Sequence, residues 1–230
     1  PDIAEVKRLN AIYPVKKVSY APEVEGGAVF ASELLACGIV PSAVHTAATH
    51  AEFLDAYCHG MRNLSHFCNQ MTALHHRDIG MVGAGFLHDD VYIELICDKL
   101  HICPDMIELV FSLKSVDYIQ LISDAMRASG MPDGEYMLGG QKVYKKTDAR
   151  LADGTLAGSV TNLFDEFHNI LGYGIPFRQA LKSVTINPAK AIGVDKTTGS
   201  IEVGKYADLL ITSEDFKEIK AVFVKGKRVL

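Results

Sequence analysis

Three histidines and two aspartates sit where apolar runs end. Ser42-Ala43-Val44-His45-Thr46 closes one run, Ser65-His66 lies in the next, Asp98 ends a third with His101 just beyond, and Ser123-Asp124-Ala125 closes a fourth. Neutral imidazole is the commonest protein ligand for zinc and also suits iron and nickel. A carboxylate beside it can bind the same ion or act as a base. His45, His66 and Asp124 are therefore candidates for metal or acid–base chemistry. Each also has a plainer reading. A histidine at a strand end is commonly a hydrogen-bonded core residue, and an aspartate after an apolar strand commonly caps a helix. Position alone leaves both readings open. His75-His76-Arg77 reads as an exposed loop cluster, and His50, His59, His88 and His168 fall in helical or loop patterns.

The apolar runs, 18–21, 39–45, 63–67, 92–97 and 118–123, have strand length and are flanked by Gly, Pro or charged residues. Several are nearly continuous, which predicts strands buried on both faces. Helical patterns occupy 2–12, 24–38, 48–60 and 104–114. This alternation predicts an α/β fold with a parallel sheet. In an α/β barrel the carboxyl ends of the strands face the active site, so two His and an Asp ending three strands can converge on one point. After Asp124 the texture changes. Segment 129–158 is rich in Gly and polar residues and predicts one strand, 141–145. Residues 160–171 show helical spacing. Pro176 is placed to open a further helix at its first position, and Asn187-Pro188 to cap another that Gly193 closes. Strands are predicted at 207–211 and 220–224, with Gly226 in a tight turn after them.

The composition bounds the class. The 230 residues suit about one large domain, and 48% apolar with 22% charged residues is enough for a core and excludes wholesale disorder. A net charge of −5 without a basic stripe argues against nucleic acid or an anionic membrane as partner. No run approaches the roughly 18–20 apolar residues of a membrane helix. No leader segment is evident, the first residue is Pro1 and not Met, and a trimmed or partial chain is expected. The 5 Cys form no CxxC pair and read as reduced thiols of a cytoplasmic protein.

Several blocks, in order, resemble the N-acetylglucosamine-6-phosphate deacetylases of the amidohydrolase superfamily. They are Tyr20-Ala21-Pro22-Glu23, Ser42-Ala43-Val44-His45, Ser65-His66-Phe67-Cys68-Asn69-Gln70-Met71 and His75-His76-Arg77-Asp78-Ile79-Gly80. Further along come Asp98-Lys99-Leu100-His101, Ser123-Asp124-Ala125-Met126, Leu156-Ala157-Gly158-Ser159 and Asn187-Pro188-Ala189-Lys190-Ala191, then the closing stretch from Gly199 to Leu209. The resemblance implies a (β/α)8 TIM barrel with a small β-sandwich. Five strand–helix units are counted here, so the barrel is expected to be incomplete, with residues 1–195 as its part, 129–158 as an excursion, and 196–230 as a portion of the sandwich. It implies hydrolysis of N-acetylglucosamine 6-phosphate to glucosamine 6-phosphate and acetate. It also implies a divalent metal, zinc first and iron, cobalt or nickel as alternatives, held by His45 and His66, with Asp124 as catalytic acid and base. Asn69, Gln70, Asp98, Lys99, Leu100, His101, Leu156, Ala157 and Gly158 match substrate-contacting positions. Arg77 matches an arginine that reaches the sugar phosphate across a homodimer interface.

The family's third metal ligand is a glutamate in a His-Leu-Glu-Gly-Pro block, which does not occur in this sequence. Glu23 matches a different family position. Two other readings therefore stand beside the deacetylase: an amidohydrolase for another amide, and a catalytically silent fragment that binds a sugar phosphate or serves assembly.

Overall fold

The computed structural model describes residues 1–230. Helix α1 (Ile3–Ile12) starts at Asp2, whose carboxylate accepts hydrogen bonds from the Ala4 and Glu5 amides. It is followed by β1 (Lys17–Tyr20), α2 (Gly27–Ala36), β2 (Val40–Ala43), α3 (His50–Cys58), β3 (Asn63–Leu64), α4 (Gly80–Leu87), β4 (Tyr92–Leu95) and α5 (Pro104–Leu113). A 3₁₀ turn at Val116–Tyr118 then leads into β5 (Ile119–Leu121). The five strands form one parallel sheet in chain order, as their rhythm predicts. The sheet is open: β1 and β5 each have one neighbour.

Strands β2 to β5 are largely buried on both faces, as predicted, but the two faces differ in chemistry. Outward residues Ala43, Leu64, Ile93, Leu95, Ile119 and Leu121 join helix residues such as Phe53, Met81 and Ile107 in one core. Inward residues Ser42, Asn63, Glu94 and Gln120 are buried and polar. Asn63 Nδ2 donates to Glu94 Oε1 at 2.9 Å and to Ser42 Oγ at 3.2 Å, and Gln120 Nε2 donates to Asn63 Oδ1 at 2.9 Å. Lys17 pairs with Glu94, and Ser65 Oγ lies 2.8 Å from Ser42 Oγ and 3.1 Å from Ser19 Oγ. Buried polar groups persist when their hydrogen bonds are made. Here one asparagine amide ties β3 to β2, β4 and β5. Single polar residues between apolar ones are easily read as an unbroken apolar run.

Helix α4 has no counterpart in the predicted pattern. Gly80, Gly83 and Gly85 obscure it, since glycine costs about 1 kcal/mol against alanine inside a helix. Close packing explains Gly85: an added Cβ would lie 2.4 Å from Phe67 Cε2.

Past β5, three antiparallel strands stand where one is predicted: β6 (Gly134–Leu138), β7 (Gln141–Lys145) and β8 (Ala149–Arg150). They cover a small separate core with Met126, Val143 and Ala157. β6 is mostly exposed, so it lacks the alternation that marks a strand in sequence.

Helices α6 (Leu163–Gly172), α7 (Phe177–Val184) and α8 (Ile186–Ala191) follow. Pro176 precedes the first helical residue of α7 rather than occupying it. Asn187 is no cap: it is buried within α8, and its Nδ2 donates to the Val116 carbonyl at 2.6 Å and the Ile119 carbonyl at 2.7 Å. An asparagine before a proline looks like a cap in sequence, but here its amide serves the carbonyls beside β5. The tail forms a three-stranded antiparallel sheet of β9 (Leu209–Thr212), β10 (Ile219–Val224) and β11 (Lys227–Arg228). No helix is long and apolar enough to cross a membrane.

Asn187→Ala strands two buried carbonyls. We expect a loss of about 2–3 kcal/mol of stability, read as a lower urea midpoint at unchanged slope. An unchanged midpoint would show that α8 does not depend on this amide.

Candidate active site

His45 and His66 follow β2 and β3, and Asp124 follows β5. All three have left-handed backbone, at φ 45°, 34° and 47°. An extended strand sends successive side chains to opposite faces. Yet Val44 and His45 line one cavity together, as do Ser65 and His66. The left-handed turn at each histidine breaks the alternation and keeps both residues on the inner face. The two imidazole centroids lie 4.7 Å apart, with their planes at 47°. Lys17, Glu94 and Asp124 line the same cavity, of about 750 Å³. Left-handed non-glycine residues cost about 1–3 kcal/mol each and cluster at functional sites. Cys68, Gln70 and Lys99 share this conformation in the same strand-end segments.

His66 is buried, and neither of its ring nitrogens has a hydrogen-bond partner. Burial, above all, holds its pKa below the usual histidine value and keeps the imidazole neutral. A neutral ring with unshared nitrogens is what a divalent metal requires of a ligand, and the His45 ring lies beside it. No group of three or more His, Cys, Asp or Glu side chains is placed to hold a metal. Glu23 is engaged elsewhere: its oxygens accept from Thr46 Oγ1 at 2.5 Å and the Ala47 amide at 2.7 Å. The chain thus offers two of the three protein donors usual in catalytic zinc sites.

A second cavity, of about 210 Å³, adjoins the first and shares Gly158 with it. Asp98, Leu100, His101, Leu156 and Gly158 line it, together with Thr147 and Asp148 from the β7–β8 hairpin. Asp98 Oδ1 accepts from the Leu100 and His101 amides at 2.9 Å each, and Oδ2 lies 2.7 Å from His101 Nδ1. Burial works to raise the Asp98 pKa, but the hydrogen bonds from His101 and the two amides outweigh it and leave the carboxyl below its ordinary value. Gly158 has φ 65°, and an added Cβ would lie 3.2 Å from the Asp124 carbonyl.

The other expected contact residues line neither cavity. Asn69 donates to the His66 and Phe67 carbonyls at 3.3 Å each. Gln70 is exposed, and its carbonyl accepts from the Thr46 amide at 2.9 Å. Lys99 is exposed at φ 73°, and Ala157 is buried with its amide bonded to the Ala149 carbonyl. Arg77 stands in an exposed loop with its Nη1 2.7 Å from His76 Nε2. Glu166, on α6, is absent from the sequence-derived candidates. It is fully buried, and its Oε2 accepts from the Cys97 amide at 3.1 Å. The available signal is a carboxylate on the helix face that also carries Phe167 and Ile170.

Residues 41–229 match the profile of the amidohydrolase family. The chain belongs to that family. It is similar to the N-acetylglucosamine-6-phosphate deacetylase of Vibrio furnissii, 38% identical over 93% of this chain and 53% of the relative. It is also similar to the N-acetylgalactosamine-6-phosphate deacetylase of Escherichia coli O157:H7, 34% identical over 98% of this chain and 60% of the relative. Among solved structures, an Asp-to-Ala mutant of the Mycobacterium smegmatis N-acetylglucosamine-6-phosphate deacetylase, in complex with N-acetylglucosamine 6-phosphate, matches all of this chain and 62% of its own. The identity is 29% and the TM-score 0.93. This amidohydrolase chain spans about half the length of the curated relatives it matches.

Zinc in excess should raise the melting temperature of the chain, and His45→Ala with His66→Ala should abolish the shift. Dialysis should strip the metal, because two donors hold it weakly. An equal shift in the double variant would place the ion elsewhere. A second expectation concerns Glu166, whose pKa burial pushes from 4.5 up to about 8. The folded state then holds this proton more tightly than the unfolded chain. Its contribution is complete below the unfolded value and declines as pH rises toward about 8, by up to about 1.4 kcal/mol per unit. Glu166→Gln should flatten that decline in urea unfolding, and an unaltered decline would contradict it.

Proposed function

We propose that this site serves metal-dependent hydrolysis of the acetamido group of N-acetylglucosamine 6-phosphate, giving glucosamine 6-phosphate and acetate. The observation that carries the reading is that His45, His66 and Asp124 line a single cavity, the two histidines brought to it by left-handed turns. His45 and His66 would hold the divalent metal, zinc first among the candidates, and a bound divalent ion supplies Lewis-acid polarisation of an amide carbonyl. Asp124 takes the proton of the attacking water. As the new C–O bond forms and the C–N bond breaks, it passes that proton to the amine nitrogen. The second cavity takes the sugar ring, where His101, oriented by Asp98, can meet hydroxyl groups. Arg77 lies outside both cavities, and an arginine so placed can grip a phosphate bidentately from a neighbouring subunit of a homodimer.

The same reading takes residues 1–195 as part of a TIM barrel and 196–230 as part of a β-sandwich. The open sheet and the separate tail sheet support it.

Acetate release from N-acetylglucosamine 6-phosphate by the zinc-loaded chain is the deciding assay. Asp124→Asn should lower turnover about 10²–10⁴-fold with little change in substrate affinity. Arg77→Ala should do the reverse and mainly weaken binding of the phosphorylated sugar. Near-normal turnover in Asp124→Asn would sink the mechanism. Equal activity on the sugar without phosphate would favour an amidohydrolase for another amide. Product binding without turnover would favour a silent sugar-phosphate-binding role.

A further inference from the structure

Glu166 and Asn169 stand one turn apart on α6 and hold both polar backbone groups of a single residue. The Cys97 amide donates to Glu166 Oε2 at 3.1 Å, and Asn169 Nδ2 donates to the Cys97 carbonyl at 2.8 Å. The next residue is Asp98, which holds the Leu100 and His101 amides and the His101 ring. A chain of contacts therefore runs from α6 through Cys97 and Asp98 to His101 in the second cavity. We propose that Glu166 is a positioning residue that sets the 97–101 segment for ligand binding through the Cys97 amide.

The neutral form follows from the surroundings. Glu166 is fully buried, and its Oε1 has no hydrogen-bond partner. Burial weighs most against an ionised carboxylate, and the acidic Asp98 from the end of β4, Asp124 from the end of β5 and Asp165 on its own helix add repulsion. The Cys97 amide alone opposes them, and burial outweighs it. The protonated acid keeps the acceptor that Cys97 uses. The segment needs such a hold because Lys99, at φ 73°, has a left-handed backbone that persists only where its surroundings fix it.

Hydrogen exchange read by mass spectrometry on the full chain tests this without any ligand. Near pH 6.5, Glu166→Ala should speed exchange across residues 96–103 about tenfold while α3 keeps its wild-type protection. Glu166→Gln retains an oxygen acceptor and should restore protection. Should Glu166→Ala fail to fold, the wild type and Glu166→Gln decide the matter between them. After correction for intrinsic rates, raising the pH to about 9 should loosen 96–103 in the wild type alone, because only the glutamate gains a charge there. Unchanged exchange in Glu166→Ala, an increase spread evenly over the chain, or the same pH response in wild type and Glu166→Gln would each overturn the proposal. A second arm rests on the deacetylase reading. Glucosamine 6-phosphate should bind Glu166→Ala about tenfold more weakly than wild type, and Glu166→Gln normally. Unchanged affinity in a loosened Glu166→Ala would reduce Glu166 to a purely structural role and overturn the proposal. If the wild type itself does not bind, the phosphosugar reading fails, and the exchange arm still decides the role of Glu166.

Discussion

A strand gives its alternate side chains to opposite faces, so consecutive residues cannot both face the inside of a sheet while the backbone stays extended. The candidate site depends on breaking that rule in two places. Ser42, Asn63 and Gln120 occupy the inner face in phase with their strands, whereas His45 and His66 are out of phase with theirs. The left-handed turns admit them, and the surrounding hydrogen bonds hold those turns in place. The Thr46 amide bonds the Gln70 carbonyl, linking the loops after β2 and β3. The Ser159 amide bonds the Asp124 carbonyl, and the Met126 amide bonds the Ser159 carbonyl. Strain at a site persists where its neighbours over-determine it, and each turn here has such neighbours.

The inner polar layer below the site does related work. With Asn63 bonded to three neighbours, a shift of one strand by a single residue would exchange its inward polar residues for outward apolar ones. That cost falls on both faces at once, because the outer face is packed with apolar residues against the helices. Such a layer favours one register over its competitors more than it adds net stability, since a buried ion pair such as Lys17–Glu94 loses hydration as it gains attraction.

Two buried carboxyl groups near the site are driven in opposite directions by their surroundings. Asp98 accepts from two backbone amides and a histidine, and its pKa falls. Glu166 accepts from a single amide, its other oxygen has no partner, and its pKa rises to about 8. Both experience burial; the number of donors aimed at each separates them. Asp98 lines the second cavity, and Glu166 is buried and bonded to the amide of the residue before it.

The strands and the residues ending them were readable from the chain alone. A strand's length and its closing polar residues are local features, so His45, His66, Asp98, His101 and Asp124 stood out before any fold was drawn. Family-like blocks added Leu156 and Gly158. Packing decided what local features conceal. Helix α4 carries its three glycines where neighbours crowd its backbone: the Thr72 and Ala73 carbonyls at Gly80, Ile79 and Leu74 at Gly83, and Phe67 at Gly85. Strand β6 exists through pairing with β7, a partnership its exposed residues do not announce. Glu94 and Gln120 of the inner layer are single polar residues between apolar ones, Glu166 lies among other polar residues of its helix, and only their partners on other elements reveal what they do. Which side of the sheet His45 and His66 face was also a tertiary matter. Strand phase predicts the outer face, and the left-handed turns, supported by loops distant in sequence, reverse it.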